Sequence, residues 1–446
     1  MVAKNQRDHW GSKLGFILAT SGAAVGLGNI QRFPYITAQW GGAAFVFIYL
    51  LCVLILGLPL ILIEFSLGRH ARKNPMAAVA SINPNGIWKY FGLLGIATAF
   101  FILSYYVVVA GWTLGYSFQI LSGQTIPIDE FSSEPWYCIP ATALFQLISI
   151  LIVGQGLKHG IEKLSKILMP LLVFLLVGLA IRSLSLDGAS AGIKYYLSPD
   201  FSKIGPEAIL FALCQAFFSL CIGEAVLVTY GSYTRKHDNL VASAAYIALF
   251  DTLIALLSGL IIFPALFAFG EPVEQGIGLI FNVMPQIFLK IPYGSVFGFG
   301  FFAILAFAAL TTCVALIEIP SSFLMETFGL KRKKAVWLVG IASFLISIPS
   351  ALSHGANHFL SQISIPSLKI SGFYEIMDFF WGSLAMVLGG LGLTVFVAWV
   401  WGSNEAAKEL TLGSPRFPKI ARVWSFHIKF ICPLLIILIL CGLFLI

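Results

Sequence analysis

The chain has 446 residues, of which 59% are hydrophobic and only 11% are charged, and its mean hydropathy is +0.92. A water-soluble protein of this length could not cover its surface with so few polar side chains, so the composition excludes a soluble enzyme and predicts a polytopic membrane protein. The net charge of +7 would suit a nucleic-acid-binding protein, but membrane proteins also concentrate Lys and Arg in their cytoplasmic loops, so no nucleic-acid partner is expected.

Apolar stretches long enough to cross a bilayer recur along the whole chain. A helix needs about 20 apolar residues to span a hydrocarbon core roughly 30 Å thick. The pattern predicts an all-α protein with eleven transmembrane helices. We number them spans 1 to 11, at about 12–36, 42–68, 88–121, 136–156, 164–184, 206–231, 240–269, 295–327, 334–350, 376–402 and 428–446.

The basic residues indicate how these spans are oriented. With a cytoplasmic N-terminus, 21 of the 27 Lys and Arg residues fall on cytoplasmic segments, among them the run 331-KRKK-334. That bias is typical of multi-pass proteins. We therefore predict a multi-pass protein of the plasma (inner) membrane with its N-terminus inside. We expect this protein to be surrounded by lipid and to be a monomer or weak homodimer.

Span 1 contains a stretch that does not suit a continuous helix, 20-TSGAAVGLGNIQRFPY-35. Glycine costs roughly 1 kcal/mol relative to alanine inside a helix, and a break facing lipid would leave backbone groups without hydrogen bonds. A break in the middle of the membrane is therefore tolerable only where it lines a cavity or a ligand. The alternative is that the three glycines serve close helix packing.

Span 6 has the same feature in 214-CQAFFSLCIGEAVLVTYGSY-233, where Ser219, Gly223 and Glu224 interrupt an apolar run. Because the interrupted spans, 1 and 6, differ by five in span number, an odd number, they cross the membrane in opposite directions. This arrangement predicts an inverted repeat with spans 1 and 6 unwound, and paired breaks of this kind point to a binding site at the membrane midplane. We expect one transporter domain over 1–446, with repeats of about 12–184 and 206–402 and a peripheral span at about 428–446.

Several motifs in register resemble the signature of the neurotransmitter:sodium symporter family. They are 7-RDHWGSKLGFILATSGAAVGLGNIQRFPY-35, 40-WGG-42, 57-GLPLILIEFSLGR-69, 105-YYVVVAGWTLG-115, 217-FFSLCIGEA-225, 229-TYGSYTRK-236 and 308-AALTTC-313. The similarity covers spans 1 to 10, and ending after span 11 looks like many bacterial members. The resemblance implies sodium-driven uptake of an amino acid or related amine on a LeuT-type fold.

The resemblance also implies a substrate site at the two breaks. Freed N–H groups near Leu27 and Gly28, at the positive end of a half-helix, suit a carboxylate, and the Tyr106 hydroxyl would join them. Gly26 stands where monoamine carriers have Asp, which favours a substrate that keeps its own carboxylate. The remaining expected contacts are the carbonyls of Ala24, Phe218 and Ser219 for the ammonium group, and Ile102, Phe218, Cys221, Glu224 and Leu316 for the side chain.

Two sodium ions are expected from the same resemblance, because unwound carbonyls supply the oxygen ligands that a hard cation prefers. Taken singly, Thr and Asn in a span more often bond backbone. The first site would use the Ala24 carbonyl, Asn29, Ser219, Asp251 and the substrate carboxylate. The second would use the carbonyls of Gly22, Val25 and Ala308 and the hydroxyls of Thr311 and Thr312.

Asp251 differs from the Asn of many relatives, and a carboxylate at a span centre is costly unless it is paired. Chloride-dependent relatives bind the anion through a serine that aligns with Ala255, which has no hydroxyl. We therefore predict a chloride-independent carrier in which Asp251 supplies the fixed negative charge.

Glu224 stands where relatives usually place Phe. One interpretation is that it binds a donor on the substrate side chain, so that the substrate is hydrophobic, aromatic or donor-bearing. The other is that it turns away and bonds backbone or water near the break. Glu64 and Glu318 are interpreted as structural acids that bond backbone near the breaks.

Charged pairs at span ends are expected to act as gates. Arg32 and Asp378 match the outer pair of the family, and Arg7 with Glu326 matches the inner pair. An arginine near a span end more often only extends towards water.

The prediction is therefore a sodium-coupled amino-acid symporter and not an enzyme. No nucleophile elbow and no phosphate-binding Gly-rich loop with Lys is present in the sequence. Two rival interpretations remain: proton coupling on the same fold through Asp251 or Glu224, and a membrane receptor or channel.

Overall fold

The computed structural model describes residues 7–271 and 276–444 and is predominantly helical. Within those residues, nine continuous helices are long and apolar enough to cross a membrane, and they correspond to spans 2–5 and 7–11. Their bounds are Ala43–Ala71, Lys89–Leu121, Pro135–Gly154, Leu157–Leu184, Leu240–Phe269, Gly294–Phe328, Arg332–Leu352, Phe373–Thr411 and Ala421–Gly442.

Short elements connect the spans. The only strands among the described residues, Ser364–Ile365 and Ile370–Ser371, form one antiparallel pair between spans 9 and 10. The connecting α-helices are Pro75–Ile82, Ile128–Ser133, Ala189–Leu197, Leu279–Lys290 and His358–Gln362.

Span 1 is broken, as predicted, into Lys13–Ala24 and Gly28–Gln39, whose axes differ by 58°. Ser12 begins the first half by accepting a hydrogen bond from the Gly15 amide at 3.0 Å. Val25 ends that half, because its backbone turns to an extended conformation with ψ 98°. The backbone between the halves therefore leaves the helix in the middle of the span.

Span 6 is broken into Pro206–Ser219 and Val226–Gly231. Three residues between the halves have positive φ: Cys221 at 52°, Gly223 at 88° and Ala225 at 61°. Gly223 adopts this conformation without a steric cost, whereas the other two each store about 1 to 3 kcal/mol of strain, which is typical of functional segments. The Glu64 carboxylate of span 2 accepts a hydrogen bond from the Gly223 amide at 2.8 Å, as predicted for a structural acid near a break.

The broken spans lie at the centre of the bundle. The first half of span 1 and the second half of span 6 both contact the long helix of span 8. Burial falls from the centre outwards: 78% of the apolar stretch of span 8 lies inside the protein, against 28% for span 11. The all-α fold class predicted from the sequence is confirmed. The repeat boundaries at 12–184 and 206–402 remain predictions.

Three span ends lie well outside the expected bounds. The span 5 helix begins at Leu157 rather than 164, the span 10 helix continues beyond 402 to Thr411, and the span 11 helix begins at Ala421 rather than 428. Apolar length predicts only the part of a helix within lipid, whereas these helices continue through charged residues such as Lys408 and Arg422.

Candidate functional site

A cavity of about 180 Å³ lies where the two broken spans meet. Ten of the eleven residues predicted to bind substrate line it: Ala24, Gly26, Leu27, Gly28, Ile102, Tyr106, Phe218, Ser219, Cys221 and Glu224. Leu316 does not. It is fully buried on span 8, and Thr312, one turn earlier on that helix, lines the cavity instead.

The cavity end formed by the span 1 break carries polar groups from two spans. The Leu27 amide donates a hydrogen bond to the Tyr106 hydroxyl at 3.1 Å. Gly28, which begins the second half-helix, is exposed at the cavity. A Cβ on Gly26 would lie 2.9 Å from the Tyr106 hydroxyl, so only glycine leaves space there. The first turn of a half-helix and a phenol hydroxyl thus converge where a carboxylate can bind.

Side chains from spans 1, 6 and 7 form a compact oxygen-rich cluster beside this end. The Asp251 carboxylate accepts hydrogen bonds from Asn29 Nδ2 at 2.7 Å and from Ser219 Oγ at 2.8 and 2.9 Å. The Tyr49 hydroxyl donates to its second oxygen at 3.2 Å. Asp251 is fully buried, so its charge is balanced only by these donors and by any cation held at the cluster. The structure thus brings together the three side chains predicted for the first sodium site.

A second group of oxygens lies between spans 1 and 8. Thr312 Oγ1 is 3.2 Å from the carbonyl oxygens of both Ala23 and Ala308, and Thr311 Oγ1 is 2.9 Å from the latter. Gly22 packs directly on Thr311, since a Cβ there would lie 3.0 Å from the threonine Cβ. Val25 is buried at the same break. Four of the five residues predicted for the second sodium site, Gly22, Ala308, Thr311 and Thr312, therefore lie close together, and the span 1 carbonyl in contact with them is that of Ala23, which was not predicted.

Several residues of the cavity were missed by sequence reasoning. They are Ala23 of span 1, Tyr105 of span 3, Gln215 of span 6, and Gly382, Ser383 and Met386 of span 10. These spans are apolar on nearly every side, so their sequence pattern does not indicate which side faces the site. Ala23 and Tyr105, which lie inside recognisable motifs, carried a usable signal.

The outer side of the cavity is open. Six residues of the cavity, among them Arg32 and Asp378, also line a second cavity of about 670 Å³ that extends between the outer ends of the spans. Arg32 and Asp378, the predicted outer pair, both lie within the described part of the chain, and they do not form an ion pair in this structure. The Arg32 guanidinium lies 5.3 Å from the centre of the Phe218 ring instead.

The inner side is closed by contacts between the N-terminal segment and spans 6 and 8. Arg7 forms an ion pair with Glu326 and donates from Nε to Ser232 Oγ at 2.8 Å. The Trp10 indole donates to the Tyr230 carbonyl at 3.0 Å. The predicted inner pair is therefore in contact, and the cavity is closed on this side while it is open on the opposite side.

The prediction that Glu318 bonds backbone is wrong. This fully buried carboxylate accepts a hydrogen bond from the Tyr233 hydroxyl at 2.7 Å and pairs with Arg332 at 2.7 Å. A buried charge requires a partner, and the basic run before span 9 supplies a stronger one than an amide.

Weakening the inner pair should open the inner side. In a cysteine-free background with Thr20→Cys as reporter, we expect Glu326→Gln to speed alkylation from the cytoplasmic side about five-fold, because a partly exposed ion pair contributes about 1 kcal/mol. Glu405→Gln is the matched control, since Glu405 pairs with Lys408 within a single helix. Equal alkylation rates in the two variants would show that the Arg7–Glu326 pair does not hold the inner side closed.

Comparison with known proteins gives consistent matches over nearly the whole chain. The model of the Sodium:neurotransmitter symporter family matches residues 7–138 and 140–445. The uncharacterized sodium-dependent transporter YhdH of Bacillus subtilis (strain 168) is 37% identical over an alignment of 451 residues, which covers 99% of each chain. The crystal structure of MhsT in complex with L-phenylalanine is 40% identical, covers 98% of this chain and 100% of that one, and has a TM-score of 0.88. A more distant relative, the sodium- and chloride-dependent GABA transporter 2 of Homo sapiens, is 24% identical over 491 residues, covering 96% of this chain and 79% of its own.

Proposed function

Because this chain belongs to the sodium:neurotransmitter symporter family, we propose that it imports an amino acid together with sodium by alternating access. It is a multi-pass membrane transporter of LeuT-type fold and not an enzyme. The observation that carries the proposal is the junction of the two broken spans, where the Leu27 amide and Tyr106 hydroxyl lie beside the cluster of Asn29, Ser219 and Asp251.

The substrate is an amino acid that keeps its carboxylate. Gly26 supplies no acidic side chain to replace a substrate carboxylate, and the Leu27 amide and Tyr106 hydroxyl beside it suit an anionic group. The walls formed by Ile102 and Phe218 favour a hydrophobic, aromatic or donor-bearing side chain. The solved relative MhsT was crystallised with L-phenylalanine, which supports this size and class.

Two sodium ions accompany the substrate, one at each group of oxygens. At the first, the substrate carboxylate completes the coordination formed by the Ala24 carbonyl and by Asn29, Ser219 and Asp251. Sodium then stabilises the bound substrate and the substrate stabilises bound sodium to the same extent, by linkage. At the second, Thr311 and Thr312 join the backbone carbonyls of Gly22, Val25 and Ala308.

Chloride is not required. Asp251 provides a buried negative charge within the cluster, and Ala255, one turn further along span 7, has no hydroxyl to hold an anion. The names of two relatives support this distinction: YhdH is called a sodium-dependent transporter, and the human relative a sodium- and chloride-dependent one.

The carrier lies in the plasma membrane with its N-terminus in the cytoplasm. Arg7 and Trp10 close the side on which the N-terminus lies, and the basic residues of the sequence are concentrated on that side. The larger cavity then faces the exterior. We propose a monomer or weak homodimer, because one chain contains the whole cavity.

Uptake into proteoliposomes tests these proposals together. We expect concentrative uptake of a labelled amino acid under an inward sodium gradient, loss of uptake when sodium is replaced by potassium, and full uptake when chloride is replaced by gluconate. Uptake that stops in gluconate would contradict the role given to Asp251. Uptake driven by a pH gradient without sodium would favour the proton-coupled alternative, in which Asp251 or Glu224 carries the proton.

A further inference from the structure

Among the described residues, the Glu224 carboxylate is the acidic group of the cavity with the weakest partner in the protein, a neighbouring thiol. Glu224 follows Gly223 in the span 6 break, is only 7% exposed and lines the cavity. Of the two interpretations from the sequence, the structure therefore agrees with the one in which the side chain faces the cavity.

Donors close to Glu224 form hydrogen bonds with other acceptors. The Gly223 amide donates to Glu64 Oε1 at 2.8 Å, and the Cys221 thiol donates to the Ala23 carbonyl at 3.3 Å. The Cys221 thiol is also within hydrogen-bonding reach of the Glu224 carboxylate, but a thiol is a weak donor, and no stronger donor among the described residues bonds this carboxylate. Once the cavity closes over a ligand and excludes water, the carboxylate needs a stronger donor, because its desolvation is costly.

The other charged groups of the cavity are accounted for. Asp251 accepts hydrogen bonds from Asn29, Ser219 and Tyr49. Asp378 accepts a hydrogen bond from the Tyr105 hydroxyl, and Arg32 contributes the opposite charge to the same cavity. Glu224 has only a thiol donor and no counter-charge of its own, so a group on the ligand is the remaining strong partner.

The surroundings of Glu224 suit a side chain with an apolar stem and a polar end. Ile102 and Met386 provide apolar walls on spans 3 and 10, while Ser383 adds a hydroxyl. Gly382 leaves open space in the cavity wall, because a Cβ at this position would lie 2.7 Å from Asp378 Oδ1. An aliphatic side chain would fill this space but leave the carboxylate with only the thiol as a donor.

We propose that Glu224 is a specificity determinant that selects amino acids whose side chain ends in an N–H or O–H donor over donorless amino acids of the same shape. The inference rests on the proposed function and deepens it by naming the substrate class. It predicts a large discrimination, since a site built to receive a hydrogen bond rejects analogues that lack the donor far more strongly than an apolar pocket rejects a missing methylene.

The test uses matched pairs of amino acids as competitors of sodium-dependent uptake by the full-length protein. The pairs are lysine with norleucine, tryptophan with benzothienylalanine, tyrosine with phenylalanine, and threonine with valine. Each pair is measured in the wild type, in Glu224→Met, which keeps length but loses the acceptor, and in Glu224→Gln, which keeps an acceptor but loses the charge.

In the wild type we expect the donor-bearing member of at least one pair to compete about ten-fold or more better than its partner. In Glu224→Met that ratio should fall to about one while the donorless member improves, a gain that a purely structural role would not produce. In Glu224→Gln the preference should persist for a neutral donor and disappear for a cation.

If a variant does not fold, the wild-type ratios still decide, because donorless members that compete equally well in every pair would overturn the inference. Sodium-dependent uptake with equal competition would overturn this inference alone, whereas a complete absence of sodium-dependent uptake would remove the proposed function with it.

Discussion

Asp251→Asn is expected to raise the sodium concentration for half-maximal uptake at least ten-fold and to abolish uptake at low sodium. The substitution preserves shape but removes the fixed negative charge of the first oxygen cluster. An Asn amide still accepts one hydrogen bond, so the contacts with Ser219 and Asn29 at 2.7 to 2.9 Å can in part persist. The loss therefore concerns the attraction of a cation in a buried site, where charge is poorly screened.

Sodium titrations of substrate binding in detergent, with thermal unfolding of the same samples, check this expectation. Asp187→Asn is the matched control, because Asp187 is exposed in the loop after span 5. It should bind sodium and substrate as the wild type does. An Asp251→Asn protein with unchanged sodium dependence would contradict a direct role of this carboxylate, whereas a protein that unfolds earlier but titrates normally would indicate a structural role.

The two breaks were predictable because they violate a strong rule. Glycines and polar residues such as Asn29 and Glu224 are costly in an apolar helix, so their presence at matching positions of spans 1 and 6 is informative without any structure. The second oxygen group was predicted from the resemblance of 308-AALTTC-313, and the structure brings it against span 1.

The side of each continuous span that faces the cavity could not be predicted. Tyr49 donates to Asp251, yet in the sequence it is one aromatic residue within the apolar first part of span 2, Ala43–Cys52. Leu316 illustrates the same limit, since its helix is buried on most sides and a displacement of one turn moves it out of the cavity. Position along the membrane follows from composition, whereas rotation about the helix axis depends on packing.

The arrangement of the gates was equally beyond sequence reasoning. In the proposed alternating-access cycle, the same residues serve an outward-open and an inward-open state, so the sequence must be compatible with both. In this structure Arg7 contacts Glu326, while Arg32 and Asp378 do not pair, and these contacts correspond to one of the two states. The difference in free energy between such states is small enough that a few contacts decide it.

Tyr106→Phe is expected to weaken substrate binding about ten- to hundred-fold at saturating sodium, because hydrogen bonds to a charged group contribute about 1.5 to 3 kcal/mol. The hydroxyl lies 3.1 Å from the Leu27 amide at the cavity end where the substrate carboxylate would bind. Its loss removes one donor to that carboxylate and leaves the apolar ring in place.

Equilibrium binding of a labelled substrate measures this effect, and sodium binding without substrate provides an internal reference. The proposed sodium ligands lie on other side chains, so sodium affinity without substrate should change little, while the reciprocal coupling between ion and substrate should weaken. Tyr246→Phe is the matched control, because Tyr246 is 50% exposed on span 7, away from the cavity. Substrate affinity equal in the two variants would show that the Tyr106 hydroxyl serves the span 1 break and not the substrate. A parallel loss of sodium affinity would instead indicate that the hydroxyl organises the break on which both ligands depend.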